Sequence, residues 1–233
     1  PTRRSSDLGI LVSDRGFRQP LFYWKNMDGN IIGAQYKYIK DNVCQKRFLK
    51  NTDRSNSLWM TPIEGSKALF VTEDPLDAIA HSQLFPGARY AYLCTGGTST
   101  KAQREMIHSF SQKFKLPIIL GNDNDLAGQL ENFKLAYHTA NIEYAINSKT
   151  QRVLLTVNGA EREWGKDEIV AALQAVMKQR PNMILSIPWA KDWNDDLRSS
   201  KKSISLRIAE NMARVQIETT KSEQRGMIAG KLP

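Results

Sequence analysis

Apolar runs of strand length in this chain end repeatedly on carboxylates, and that spacing limits the folds open to it. Leu69-Phe70-Val71-Thr72 leads into Glu73, with Asp77 four residues on; Ile118-Ile119-Leu120-Gly121 leads into Asp123 and Asp125. Ile184-Leu185-Ser186-Ile187-Pro188 leads into Lys191 and Asp192, followed by Asp195 and Asp196. Stretches of helical pattern lie between these runs. Pro75–Leu84 has its proline in the first turn, where a missing N–H costs nothing. Lys101–Phe114 is amphipathic, and 127–140 opens directly behind an acidic loop. Short strands at Ala68–Thr72, 88–94, 116–120 and 183–187, alternating with helices, call for parallel pairing through right-handed crossovers. Their C-terminal ends then share one edge, where ligand chemistry collects in open α/β sheets. Glu73, Gly96 and Asp123 are expected to meet there.

Carboxylates delivered from neighbouring strand ends suit a hard cation such as Mg²⁺ or Mn²⁺, which takes oxygen ligands and shares its shell with phosphate. Each motif alone also has a structural reading. Asp125 is placed to cap the helix that starts at Leu126, and Glu73 and Asp74 are placed to cap 75–84. The run Gly96-Gly97-Thr98-Ser99-Thr100-Lys101 lacks the spacing of a Walker-type phosphate loop. No serine sits in a Gly-x-Ser-x-Gly elbow. His81, His108 and His138 share no ligand spacing, and Cys44 with Cys94 cannot build a zinc ribbon; cysteine usage points to a reducing cytoplasm. Trp59, Trp164, Trp189 and Trp193 have two roles open to them, stacking on nucleic-acid bases or packing in the core. No apolar run is long enough for a membrane span, so no membrane partner is expected.

Charge divides the chain. The net charge is +9. Residues 9–61 carry nine basic and four acidic side chains, 62–197 fourteen and sixteen, and 198–233 eight and three. Basic flanks around a nearly neutral acidic core would attract a phosphate backbone from a distance. Residues 1–8 read as a non-native, adapter-derived stretch, and the natural chain is expected to begin upstream. Residues 20–26 and 31–39 form a hairpin pattern about Met27-Asp28-Gly29-Asn30, and 9–61 reads as a truncated β-rich unit. The core then runs from 62 to 200. An insertion at about 141–183 holds a hairpin, Arg152–Val157 with the residues after Asn158-Gly159, and a helix from about Lys166 to Gln179. The insertion either contacts nucleic acid or extends the sheet. A helix at about 203–218 and a basic tail close the chain, over 201–233.

Taken in order, Glu73-x-x-x-Asp77-Ala78, Gly96-Gly97, Asp123-x-Asp125-x-Ala127-Gly128 and Lys191-Asp192-Trp193-Asn194-Asp195 resemble the Toprim domain of bacterial-type primases, topoisomerases and some nucleases. Within that family the chain is similar to the branch found in plasmid and phage primases and mobilisation proteins. The resemblance implies an α/β fold, a Toprim-type, Rossmann-like and mainly parallel sheet flanked by helices, with the small β-rich unit in front. It implies that Asp123, Asp125 and, by a looser match, Asp192 hold Mg²⁺ or Mn²⁺. Glu73 would serve as general acid or base or as a ligand, Asp77 and Lys191 would assist, and Gly96, Gly97 and Gly128 would let backbone approach phosphate or the metal shell. The implied activity is primase-like nucleotidyl transfer on DNA, with single-stranded template, nucleotides and other replication or mobilisation proteins as partners. A nuclease of the same fold and a non-catalytic DNA-binding fragment remain open, since the zinc module and additional catalytic subdomain of primases are not visible here.

Overall fold

The computed structural model describes residues 10–12, 20–41 and 43–200. Strands β1 (Ile10–Val12), β2 (Pro20–Lys25), β3 (Ile31–Lys40), β4 (Val43–Phe48) and β5 (Leu58–Met60) come first. Then β6 (Ala68–Thr72), α1 (Pro75–Leu84), β7 (Tyr90–Cys94), α2 (Lys101–Phe114), β8 (Ile118–Leu120) and α3 (Leu126–Ala136) alternate. They are followed by β9 (Ile142–Asn147), β10 (Arg152–Val157), β11 (Ala160–Gly165), α4 (Lys166–Gln179), β12 (Met183–Leu185) and α5 (Trp193–Ser200). The expected helix at 203–218, the tail and the opening octet lie outside the described residues.

One sheet joins both halves of the described chain. Its order is β12-β8-β6-β7-β5-β2-β3-β4, with β1 beside β2. The β12–β8, β8–β6 and β6–β7 pairs are parallel, as the alternation of strands and helices requires. Every pairing on the other side of β7 is antiparallel, beginning with Trp59 opposite Cys94. The strands of the β-rich stretch therefore lengthen the parallel sheet, and β4 brings polar side chains round to the strand ends of β6.

Period-two alternation assigns the faces. Leu69 and Val71 of β6, Leu93 of β7, and Ile118 and Leu120 of β8 share a core with Ile107 and Phe110 of α2 and Leu130 and Phe133 of α3. Phe70, Tyr92 and Ile119 face the other way, among Ala78 of α1, Trp193 of α5 and the indoles of Trp24 and Trp59. Helix α2 starts on a reciprocal cap: Gln103 N–H donates to Thr100 Oγ at 3.1 Å, and Thr100 N–H donates to Gln103 Oε1 at 2.9 Å. Residues 142–165 form a separate three-stranded antiparallel sheet, β11-β10-β9, and do not extend the central one. Its Val153 and Leu155, with Ile169 and Leu173 of α4, close over the α2–α3 core.

Candidate active site

Three strands of the parallel section end where the carboxylates begin. Glu73 follows β6, Asp123 and Asp125 follow β8, and Asp192 lies on the turn between β12 and α5. Two backbone contacts fix the register of these loops. Gly96 N–H donates to Glu73 C=O at 2.8 Å, and Asn124 N–H donates to Lys191 C=O at 2.7 Å. The Glu73, Gly96, Asp123 and Lys191 segments thus line one edge.

Several carboxylates there also organise helix ends. Asp74 accepts from Leu76 N–H at 3.0 Å and caps α1. Asp125 Oδ1 accepts from Gly128 N–H at 2.9 Å and caps α3. Asp192 Oδ1 accepts from Asp195 N–H at 2.8 Å in the first turn of α5. Each cap leaves the second carboxylate oxygen to other uses, since one oxygen satisfies an orphan N–H. Asp77 is nearly buried on α1 and accepts a hydrogen bond from Asn194 Nδ2 at 2.6 Å, which ties α1 to α5.

The electrostatics show how crowded this edge is. Burial first, and then the charges of Asp123, Asp74 and Asp192, push the Asp77 carboxyl up to about 8. Burial, with the charges of Glu73, Asp125 and Asp192, pushes Asp123 up to about 7, opposed by Lys191. Like charges close together disfavour ionisation of each, and a cation placed among them relieves that cost. The donors are carboxylate oxygens without a thiolate or imidazole among them, a set that suits Mg²⁺ or Mn²⁺. Among the described residues, no group of three or more His, Cys, Asp or Glu side chains is placed to hold a metal ion. Mg²⁺ is commonly held by one or two carboxylates, with waters and substrate phosphate completing its shell.

Cations from the β-rich stretch face the same edge. Lys46 Nζ on β4 lies 3.1 Å from Glu73 Oε1 and 3.6 Å from Asp74 Oδ2. Burial alone would lower the Lys46 ammonium, but Glu73 and Asp74 outweigh it and hold the group above its ordinary value. Lys37 on β3 pairs with Asp74 in a largely buried ion pair. Arg54 Nη2 donates to Thr98 C=O at 2.8 Å, beside the glycine turn. None of these partners is marked by a local motif; the only hint in the sequence is the basic excess over 9–61.

The glycines have specific neighbours. Gly96 has φ +76°, and a Cβ there would sit 2.5 Å from the Trp24 ring and 2.9 Å from the Phe48 ring. At Gly97 a Cβ would sit 2.9 Å from Arg54 Nη2. The turn is thus packed against side chains of the β-rich stretch. Gly128 sits in the first turn of α3, where a Cβ would lie 2.2 Å from the Asp123 carbonyl oxygen. Its bare backbone lets α3 seat against the acidic loop. Of the four tryptophans with two roles open, Trp59 and Trp193 are buried, Trp164 packs on Phe133, and Trp189 is exposed.

Residues 70–153 match the family described as Toprim-like. No curated protein matches the chain. Among solved structures, the primase fragment of the bacteriophage T7 primase-helicase is 20% identical, with a TM-score of 0.39, covering 57% of this chain and 54% of that one. The DnaG catalytic core is 18% identical with a TM-score of 0.38, covering 57% and 45%. The catalytic core of the E. coli primase is 13% identical with a TM-score of 0.35, covering 58% and 46%. The chain spans about half the length of these solved structures.

Proposed function

We propose that the protein performs primase-like, Mg²⁺-dependent nucleotidyl transfer on DNA, in replication or mobilisation of a plasmid or phage within the cytoplasm. The observation that carries this reading is the meeting of Glu73, Asp77, Asp123, Asp125 and Asp192 at one edge of a Toprim-like sheet, where burial and then the neighbouring carboxylate charges raise Asp77 and Asp123. In this reading Asp123, Asp125 and Asp192, with Glu73, hold the divalent ion, which when bound offsets phosphate charge and draws electron density from the reacting phosphoryl oxygens. Glu73, steadied by Lys46, accepts the proton of an attacking 3′-hydroxyl. Asp77, bonded to Asn194, braces the edge from α1. Lys46, Arg54 and Lys191 supply positive charge on either side of the carboxylates, where phosphates of a nucleotide or template strand would lie. Other replication or mobilisation proteins would be its partners.

The test incubates the protein and its Glu73→Gln variant with single-stranded template, supercoiled plasmid, labelled nucleotides and Mg²⁺ or Mn²⁺. Incorporation that falls by about two orders of magnitude or more in the variant is the expected result, on the scale of losing a general base. Glu73-dependent nicking without incorporation would replace transferase by nuclease. Absence of both reactions would reduce the role to DNA binding.

A further inference from the structure

Trp189 is the one tryptophan of the five whose ring is half in solvent, at 51% exposure. An isolated exposed indole on a protein surface is ordinary. This one differs in how its backbone is held and in where it stands. Asp196, itself 5% exposed, uses both carboxylate oxygens on this turn: Oδ2 accepts from Trp189 N–H at 2.8 Å and Oδ1 from Ala190 N–H at 2.7 Å. Both oxygens of a buried carboxylate thus fix the main chain under a side chain that packs little. The same turn reaches Lys191, whose carbonyl accepts from Asn124 N–H in the Asp123–Asp125 loop at 2.7 Å. Lys166 Nζ reaches the carbonyl of that same Asn124 at 3.1 Å. The exposed ring therefore stands two residues from Lys191 on a rigid turn registered to the acidic edge.

We propose that Trp189 is a base-stacking platform for single-stranded nucleic acid, with Lys191 and Lys166 meeting the phosphates beside it. Any base offers a π-face, so stacking on an indole is sequence-tolerant, as a template-reading site requires. The preset turn reduces the ordering cost of binding. The platform lies on the β12 side of the carboxylates, whereas Lys46 and Arg54 lie on the β4 side. A strand stacked on Trp189 would thus enter the acidic edge from the flank away from the β-rich stretch. This assignment rests on the reading of the protein as one that works on a single-stranded template, and it concerns binding, not turnover.

The experiment measures binding of the full chain to a labelled thymidine oligomer and to an abasic oligomer of equal length, for wild type, Trp189→Ala and Trp189→Phe, in chelator and without nucleotides. Wild type should prefer the base-bearing oligomer. Trp189→Ala should lose about tenfold of that preference, the scale of one stacked base. Its abasic affinity and salt dependence should stay unchanged, because phosphate contacts set those. Trp189→Phe should keep most of the preference. A Trp189→Ala protein that retains the full preference overturns the platform and leaves the template reading intact. A wild type that binds both oligomers equally overturns the platform, and one that binds neither overturns the single-stranded partner with it, while Glu73-dependent incorporation is scored separately.

Discussion

Burial and like charge act in the same direction on Asp77 and Asp123, while Lys46 is held charged by its carboxylate neighbours. At His81 burial acts alone. The ring lies 3.8 Å from Phe70 and 4.6 Å from Trp193 between centroids, with Nδ1 3.0 Å from the Tyr92 hydroxyl, and burial lowers the imidazole to about 3. The unfolded chain titrates near the ordinary value of about 6.5. Between those values the unfolded state binds more protons than the native state, so the stabilisation present above pH 6.5 is lost as pH falls toward 3. Asp77 and Asp123, whose carboxyls are raised, pull the other way over the same range, so the His81 contribution is read as a difference. From pH 6.5 to 5 the melting midpoint of wild type should fall relative to that of His81→Phe, with His108, His138, Asp77 and Asp123 contributing equally to both proteins. An unchanged difference would contradict the assignment. At this scale the positions of Glu73, Asp123, Asp125 and Asp192 behind strands were legible in the sequence, because each follows a readable strand. The sequence did not reveal Lys37, Lys46 or Asn194, whose partners are 37, 27 and 117 residues away. Pairings of that span are products of topology, which local spacing does not encode.

Helix α3 sits against the Asp123 loop only because Gly128 has no side chain. In an exposed helix interior, Gly→Ala would stabilise by about 1 kcal/mol. Here the new Cβ meets backbone at 2.2 Å and either the helix or the acidic loop must shift, so Gly128→Ala should destabilise by about 1–3 kcal/mol. Chemical denaturation reads the sign directly, and a stabilised variant would refute the close seating. Elements with strong local signals were legible to the residue. Lys101–Phe114 has its capping box, Lys166–Gln179 an apolar face, and Ala68–Thr72 and Arg152–Val157 strand-like patterns. Helix 127–140 is shorter than its pattern, ending at Ala136. Strands β4 and β9 and helix α5 were not read. β4 is polar and exposed along most of its length, and β9 exposes five of its six residues. α5 is eight residues long and is held by tertiary contacts, among them the Trp193 Nε1–H bond to Gly121 C=O at 2.8 Å.

For the molecule as a whole, the parallel half was legible from alternation, and the continuity of the sheet through β5 was not. Leu58-Trp59-Met60 is too short a run to reveal that it pairs with both β2 and β7. That continuity brings Lys46 to Glu73 and Asp74, Lys37 to Asp74 and Arg54 to the glycine turn, so the basic excess of the β-rich stretch and the acidity of the core meet at one edge. The proposed divalent-cation site at this edge is open to calorimetric titration of Mn²⁺ or Mg²⁺, comparing wild type with the double variant Asp123→Asn, Asp125→Asn. Asparagine caps helices about as well as aspartate, so α3 should keep its start while the edge loses two charges. Binding by the wild type and a loss of about tenfold or more in the variant is the predicted result. Equal affinity in the two proteins would contradict it.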